Sequence, residues 1–393
     1  MSERSVARKL TSVLAAQHHM ERRLPRFLVQ RYEGGSGRAV TLRRNVEAFD
    51  EVTFLPRVAR DFGARRLDTT VLGGTKLSMP VMIAPTGGLA IGHWDGERAM
   101  ARAAGEAGTA MVVSSSTGTA IEEVAAAAQG PVLFQLHHLY GRENSARMIE
   151  RARASGCTAL MFTVDARGGG PRERHPRETA FAPTSFSPAE LLRAAPQTLR
   201  RPRWLWDFLR HRAGLTVPMA PLKDGRPLSV FKIMEALSVR PAVWEDVDWI
   251  RDHWDGPLII KGIITVEDAH RAVALGSDGI VVSNHGALGL DGVPATITAL
   301  PSIVDAVGSR TEVWFDGGVR RGADVVKAMA LGAKGVLIGR AAIYGLMAAG
   351  EPGVRQILEV FRQGMAGTLL ALGCESFEDL TRDHVRIPAD WTA

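Results

Sequence analysis

The sequence predicts an α/β protein: a (β/α)8 TIM barrel with an N-terminal helical extension and a long insert after the fourth strand. Two observations lead to this prediction. Short apolar runs bounded by Gly or Pro recur eight times, and each is followed by a stretch rich in Ala, Arg and Glu. Such continuous apolar strands are typical of a parallel sheet covered by helices. Polar residues also end each run, as is typical of the functional rim of a barrel.

The eight predicted strands share an apolar interior and a polar C-terminal end. In chain order they are Val81–Ala84, Ala110–Val113, Val132–Phe134, Ala159–Phe162, Leu258–Ile260, Gly279–Val282, Glu312–Phe315 and Gly335–Ile338. The polar residues at their ends are Thr86, Ser114, Gln135, Thr163 with Asp165, Lys261, Ser283 with His285, Asp316, and Gly339 with Arg340. Any one of them could be a helix cap or turn residue. Together they predict a site, because loops after parallel barrel strands converge on one mouth.

The chain is expected to divide into an extension and a barrel. Residues 1–79 would form the N-terminal helical extension, and residues 80–393 the cofactor-binding barrel. Within the barrel, residues 166–257 are far longer than an ordinary connection, which predicts a lid or binding loop. Between Leu191 and Arg212, arginines alternate with Leu, Trp and Phe. This stretch fits a lid helix, which we favour, or a helix lying on a membrane surface.

Composition excludes several classes of protein. Cys157 and Cys374 are the only cysteines of the 393 residues and lie far apart, so neither a disulfide framework nor a metal site is expected. The first 20 residues lack the apolar core of a signal peptide, and no run approaches the ~18 apolar residues of a membrane span. We therefore expect a cytoplasmic protein without membrane association. The net charge of +6 comes without a nucleic-acid-binding module, so it fits an anionic cofactor better than nucleic acid.

Two glycine-containing segments predict a phosphate site. Asp316–Arg320 reads Asp-Gly-Gly-Val-Arg after the seventh strand, and Gly339-Arg340 follows the eighth. Paired glycines let backbone N–H groups approach an anion, and the arginines supply positive charge. The pattern indicates phosphate without saying which molecule carries it. The alternative is that the glycines only permit tight turns.

The segment after the sixth strand resembles a known active site. It reads Ser283-Asn284-His285-Gly286 and continues through Asp291-Gly292 to Ile297, and it is similar to the active-site segment of the FMN-dependent 2-hydroxy-acid oxidases and dehydrogenases. These flavoenzymes oxidise glycolate, lactate or mandelate. The resemblance covers most of the chain, from Leu24-Pro25 through Thr41–Asn45 to the final helices. It implies that FMN is the cofactor.

The resemblance also implies a set of cofactor-binding residues. Those that would contact the flavin are Pro85, Thr86, Gly87, Ser114, Gln135 and Thr163. Those that would hold the ribityl chain and phosphate are Ser283, Asp316, Gly317, Gly318, Arg320, Gly339 and Arg340.

Three residues are predicted to be catalytic. His285 is the candidate base, because neutral imidazole has a pKa near ~6.5 and a nearby carboxylate favours its protonated form. By the resemblance, Asp165 is the carboxylate that pairs with this histidine. Lys261 falls where the family has a lysine beside flavin N1, and a cation there stabilises negative charge on the flavin.

The substrate positions depart from the family. Arg31 and His137 stand where the family has tyrosines, Ser116 where it has an aromatic residue, and Leu288 where an arginine binds the substrate carboxylate; Arg172 matches a retained arginine. An arginine–carboxylate pair is bidentate and charge-assisted, so its loss predicts poor binding of small 2-hydroxy acids. Arg31 or Arg172 could compensate, which keeps a 2-hydroxy-acid substrate open.

The insert resembles that of one subgroup, the flavoenzymes of mycofactocin maturation, which oxidatively deaminate a cyclised, dipeptide-derived intermediate. The matching segments are Pro202–Leu205, Leu215–Pro218 and Trp244–Val247. This implies oxidation of a C–H bond next to OH or NH2 in a small-molecule or peptide-derived substrate, with O2 or another carrier as electron acceptor. Family analogy suggests a homo-tetramer. The alternatives are a lactate- or mandelate-type oxidase or dehydrogenase, and an inactive flavin-binding protein.

Overall fold

The predicted barrel is confirmed. The computed structural model describes residues 2–60, 63, 65–166, 173, 188–211, 215–220, 228–238 and 240–392. Eight parallel strands close into a barrel in which each strand pairs with the next along the chain and the eighth pairs with the first. They are β1 Val81–Ile83, β2 Met111–Ser114, β3 Val132–Leu136, β4 Leu160–Thr163, β5 Leu258–Ile263, β6 Gly279–Val282, β7 Glu312–Asp316 and β8 Gly335–Ile338.

The strands are apolar throughout because both of their faces are buried. Side chains at alternate positions, such as Met82, Met161 and Trp314, fill the barrel interior, and their neighbours pack outward against the helices. A short antiparallel hairpin, Thr69–Val71 with Thr75–Leu77, packs against this interior cluster. The prediction of a helical extension is therefore incomplete, because residues 69–77 form strands.

The remaining elements surround the barrel. The N-terminal helices are α1 Glu3–Ala7, α2 Val13–Arg23, α3 Arg26–Glu33 and α4 Val40–Glu47. The helices after the first three strands are α5 Gly96–Glu106, α6 Ile121–Ala127 and α7 Arg142–Ala154. Those of the insert are α8 Pro188–Thr198, α9 Pro202–His211, α10 Ile233–Ser238 and α11 Glu245–Arg251. The last four are α12 Val266–Ala274, α13 Thr296–Val307, α14 Gly322–Ala330 and α15 Arg340–Leu372.

Short elements complete the described chain. Thr53–Phe54 pairs antiparallel with Val385–Arg386. The 3-10 helices are Ala48–Glu51, Val230–Lys232, His285–Ala287, Arg382–His384 and Ala389–Thr392. Local sequence explains several helix ends: the Ser12 hydroxyl accepts from the Ala15 N–H at the start of α2, and Gly373 ends α15 with a φ of 77°.

The described part of the insert packs at the mouth of the barrel. The buried Trp204 of α9 donates its Nε1–H to the carbonyl of Ile91, 2.9 Å away, in the loop after β1. Arg201 donates to the carbonyl of Leu24 at 2.9 Å, which joins the insert to the N-terminal extension. Trp206 and Leu209 remain exposed on the other side of α9. These contacts agree with a lid, and the lid function stays a prediction, as does the division of the chain into an extension and a barrel domain.

Among the described ranges, no helix has both the length and the apolar character that crossing a bilayer requires.

A buried carboxylate fastens the end of the insert to the loop after β3. Asp246 lies at the start of α11 with no exposed side-chain surface. Its Oδ1 accepts from the guanidinium groups of Arg142 at 2.7 Å and Arg240 at 3.0 Å. Its Oδ2 accepts from the Val243 N–H at 3.0 Å and lies 3.1 Å from Nε2 of His138. These contacts hold the pKa of Asp246 below its usual value, although burial raises it.

Asp246→Ala should therefore destabilise the protein. The change removes a buried acceptor from two arginines and a backbone N–H, which should lower the free energy of unfolding by about 2 to 3 kcal/mol. Urea unfolding of the cofactor-loaded protein measures the loss. Asp248→Ala, an exposed acidic position on the same helix, is the matched control and should change stability by less than about 0.5 kcal/mol. Equal effects of the two substitutions would contradict the fastening role.

Candidate active site

The two residues predicted to form a base and its partner meet at the mouth. His285, after β6, places its Nδ1 2.9 Å from Oδ1 of Asp165, after β4. A carboxylate only accepts hydrogen bonds, so Nδ1 carries the proton and Nε2 is the basic atom. Burial raises the pKa of Asp165, but the His285 imidazole and the Lys261 ammonium offset this and hold the pKa below its ordinary value. Asp165 is thus ionised and orients His285.

A glycine in β5 makes room for this pair. Gly262 has a φ of 107°, and a Cβ built there would lie 2.6 Å from Cγ of Asp165. The pairing of β5 with β6 shifts register between Lys261 and Ile263. Such an irregularity is common beside active sites, because it redirects side chains locally. Only glycine at this position allows Asp165 to approach β5 so closely.

The backbone at the base adopts an unusual conformation. His285, Gly286 and Ala287 have φ values of 55°, 60° and 62°. Left-handed geometry in two non-glycine residues is strained, and it persists only where surrounding contacts impose it. The His285 N–H donates to the Ser283 hydroxyl at 3.2 Å, and the Ser36 N–H donates to the Ala287 carbonyl at 2.8 Å.

Lys261 is a buried cation with two partners. Its Nζ lies 2.6 Å from the Ser283 hydroxyl and 2.9 Å from Oδ2 of Asp316. Burial lowers the pKa of Lys261, but Asp316 and Asp165 raise it, and the net effect is a raised pKa. The ammonium is therefore charged and held at the mouth, and its predicted place beside the flavin stays a prediction.

The polar atoms at the mouth of the barrel fit a bound flavin. Ser114 donates to Oε1 of Gln135 at 2.8 Å, and Nε2 of Gln135 donates to the Thr163 hydroxyl at 2.9 Å, which forms one polar chain across β2, β3 and β4. Oγ1 of Thr86 and Oδ1 of Asp316 are buried and have no hydrogen-bond partner among the described residues. Buried polar atoms are normally satisfied, so these two indicate a ligand with nitrogen and oxygen atoms. The predicted neighbours Pro85 and Gly87 lie in the same β1 loop.

The predicted phosphate site consists of the loops after β7 and β8. Gly317 and Gly318 have φ values of 107° and 78°, and a Cβ on Gly318 would lie 1.7 Å from the carbonyl oxygen of Asn45. Arg320 is half-buried and donates to the Val319 carbonyl at 2.9 Å. Gly339 immediately precedes α15, whose N-terminal N–H groups form the kind of site that binds phosphate. Phosphate binding by these residues stays a prediction.

Arg340 has structural contacts in addition to its predicted contact with phosphate. Its guanidinium donates to the carbonyls of Tyr32 at 3.0 Å, Gly34 at 2.8 Å and Gly286 at 3.0 Å. It thereby joins α15 to the N-terminal extension and to the turn that carries His285.

Sequence reasoning missed a pair of amide side chains that also joins the N-terminal extension to the segment after β6. Nδ2 of Asn45 donates to Oδ1 of Asn284 at 2.9 Å, and Nδ2 of Asn284 donates to Oδ1 of Asn45 at 2.8 Å. Asp291 accepts from the N–H groups of Val40 and Thr41 at the start of α4. The signal was the position of these residues, within Thr41–Asn45 and the segment after β6, which carry the resemblance. The N-terminal extension is thus part of the active site.

Four of the five residues predicted to bind substrate lie within the described ranges. Arg31 lies against the β1 loop, where its Nη2 would be 3.0 Å from a Cβ on Gly88. Ser116 is buried after β2, and Leu288, 38% exposed, follows the His285 turn. Arg172 lies outside the described residues. All these assignments to substrate stay predictions.

His137 follows β3 and lies beside the base. Its ring is nearly parallel to the His285 ring, with 5.8 Å between centroids and 16° between planes. Burial, and secondly the neighbouring His285, lower the pKa of His137 to about 3. The imidazole is therefore neutral in the folded protein at physiological pH.

A neutral buried histidine makes stability depend on pH. The folded pKa of about 3 lies below the unfolded value near 6.5, so acid favours the unfolded state. The contribution of His137 is fully present above pH ~6.5 and is lost as pH falls toward about 3, with a limiting slope of roughly 1.4 kcal/mol per pH unit.

His137→Phe should remove this slope. Urea unfolding at several pH values from 7 down to about 4 should show the wild type losing more stability than the variant. The exposed His18→Phe is the control and should keep the wild-type slope. Parallel curves for wild type and His137→Phe would show that His137 is not held neutral.

Comparison with known proteins shows the family of the chain. The family profile described as FMN-dependent dehydrogenase matches residues 20–387. Pre-mycofactocin synthase from Mycolicibacterium smegmatis is 41% identical over 386 residues, covering 97% of this chain and 95% of that protein. Glycolate oxidase 1 from Oryza sativa subsp. indica is 38% identical over 382 residues, 97% of each chain.

A solved structure is also similar to this chain. The crystal structure of the monotopic membrane protein (S)-mandelate dehydrogenase has a TM-score of 0.87 and 34% identity, with 96% of this chain and 100% of that chain covered. The predicted enzyme class and the FMN cofactor are confirmed. Fold, site and sequence together place the chain in the family of FMN-dependent dehydrogenases, which contains the 2-hydroxy-acid oxidases and dehydrogenases.

Proposed function

We propose that the protein oxidises a C–H bond next to OH or NH2 in a substrate other than a small 2-hydroxy acid. The observation that carries this proposal is a contrast within one site. The pairs His285–Asp165 and Lys261–Asp316 lie at hydrogen-bond distance, as the oxidation requires. The position predicted to hold the carboxylate-binding arginine carries Leu288, which cannot pair with an anion.

The proposed chemistry assigns a task to each residue. His285 takes a proton from the substrate at Nε2, and Asp165 stabilises the resulting imidazolium through Nδ1–H. Bound FMN supplies the acceptor for the two electrons that leave the substrate. Lys261 provides a fixed positive charge beside that acceptor, without any reorganisation during the reaction. His285 can play this part for a proton on oxygen, nitrogen or carbon.

The substrate we favour is a peptide-derived amine or hydroxy compound. The name of the 41% identical relative, pre-mycofactocin synthase, supports a substrate in the maturation of a peptide-derived cofactor. The resemblance of the insert to that subgroup supports the same class. Electron transfer onward to O2 or another carrier, a cytoplasmic location and a tetramer remain predictions.

A second candidate is the oxidation of a 2-hydroxy acid such as lactate or mandelate. The observation in its favour is the Arg31 guanidinium, which lies against Gly88 in the loop that is predicted to contact the flavin. The names of glycolate oxidase and mandelate dehydrogenase support this candidate too. Arg31 would then have to replace the missing arginine as the partner of the carboxylate.

Removing the base should separate binding of FMN from its reduction. In anaerobic stopped-flow mixing, a cyclised dipeptide amine should bleach the flavin absorbance of the wild type. His285→Ala should keep the bound flavin yet slow the bleaching by about 10²- to 10⁴-fold, because general base catalysis is lost. His18→Ala, on the exposed face of α2, is the control. An unchanged rate in His285→Ala would remove this histidine from the mechanism, and reduction by (S)-mandelate alone would favour the second candidate.

Restoring the arginine should move specificity toward carboxylates. Leu288→Arg should raise kcat/KM for (S)-mandelate or L-lactate by about tenfold or more, since a charge-assisted pair contributes roughly 1.5 to 3 kcal/mol. Leu290→Arg adds the same charge two residues further along the loop, where the side chain is 67% exposed, and should have little effect. Steady-state rates with both acids measure the difference. The absence of any gain in Leu288→Arg would contradict the importance of this position.

A further inference from the structure

We infer that His137 is a specificity-determining residue that binds an uncharged polar group of the substrate, such as an amide, in preference to a carboxylate. This inference rests on the proposed function and names the substrate chemistry that the pocket selects. Three observations carry it: the position of the ring, its unpartnered nitrogen and the charges around it.

The position of His137 places it beside the reacting bond. The residue follows β3 directly. Its backbone N–H donates to the buried Ser115 hydroxyl at 2.9 Å, which fixes the start of the loop. Its ring is stacked on the ring of His285. A substrate that gives its proton to Nε2 of His285 therefore lies next to His137.

Two buried side chains at the rim of the barrel each carry an unsatisfied polar atom. Nδ1 of His137 and Oγ of Ser116 have no hydrogen-bond partner in the described part of the chain, and each residue is only 6% exposed. They follow the neighbouring strands β2 and β3, at the same rim as the base. Because buried polar atoms are normally satisfied, both point to polar groups of a ligand.

The charges around His137 decide which polar group it can bind. Burial is the main cause that disfavours a positive charge on His137, and His285 and Lys261 add to it. Each of these two neighbours already faces a carboxylate, Asp165 and Asp316. His137 is therefore a neutral imidazole, with one N–H donor and one acceptor nitrogen. The open atom is Nδ1, which can accept from an amide N–H or donate to an amide C=O, whereas a carboxylate offers only acceptors. A neutral imidazole cannot form the bidentate ion pair that an arginine offers to a carboxylate.

The next residue holds the ring in place. His138 has its Nδ1 2.6 Å from the Ser145 hydroxyl and its Nε2 3.1 Å from the buried Asp246. The loop after β3 is thus fastened on both sides of His137, by Ser115 and by Asp246. A polar group that is already oriented binds a ligand at a smaller entropic cost.

Binding of two matched compounds tests the inference. Mandelamide and (S)-mandelate differ in the amide and the carboxylate, and their dissociation constants follow from the perturbation of the flavin spectrum of the FMN-loaded protein under anaerobic conditions. We expect the wild type to bind mandelamide more tightly. His137→Phe should weaken mandelamide binding by about tenfold, the value of one lost hydrogen bond, and should leave mandelate binding nearly unchanged.

Two further variants keep the test decisive. His137→Asn places amide atoms near the position of Nδ1 and should recover the preference for mandelamide. Ser116→Ala should weaken mandelamide binding less than His137→Phe does, and it serves if His137→Phe fails to retain FMN. The surface variant His18→Phe is the control and should bind both compounds as the wild type does.

The outcomes separate this inference from the proposed function. Tighter binding of mandelate by the wild type, equal losses for both compounds in His137→Phe, or a spectrum that neither compound perturbs would overturn the inference. Slow reduction by every amine and every hydroxy compound other than a small 2-hydroxy acid, together with an amide preference that depends on His137, would overturn the proposed function and leave the inference standing.

Discussion

The guanidinium of Arg340 donates to three backbone carbonyls that belong to two distant parts of the chain. Tyr32 and Gly34 lie in the N-terminal extension, and Gly286 follows the catalytic base. The turn at His285 is strained, so it would relax without such contacts. One cation at the start of α15 thus holds the base, the extension and the predicted phosphate loop in a single arrangement. The position of the base therefore depends on this contact.

The N-terminal extension completes the active site and does more than cover the barrel. The reciprocal amide pair between Asn45 and Asn284 is buried beside the base, and Asp291 accepts hydrogen bonds at the start of α4. Because each partner would be left buried and unsatisfied alone, these contacts make the two parts of the chain depend on each other. Barrel folds support varied chemistry through their loops, and here the extension holds the key loop.

The site combines compensated charges with an unusual recognition surface. Lys261 faces Asp316, and His285 faces Asp165, so each of these two basic side chains has its own carboxylate. Beside these pairs lies the neutral ring of His137. Changes confined to the residues around the base can redirect specificity while the proton-transfer geometry remains intact. The reason is that the two carboxylate pairs and the residues predicted to bind substrate share few contacts.

The sequence by itself determined the barrel, its eight strands to within three residues, and the set of polar residues at the rim. The physical reason is local: a strand buried on both faces must be apolar, and its first polar residue must lie at the rim. The tertiary structure alone decided the contacts of Arg340, the amide pair of Asn45 and the burial of Asp246. These depend on which distant segments meet and how much water they exclude, and no local pattern encodes either. The neutral state of His137 has the same origin, since burial and the neighbouring His285 set its pKa.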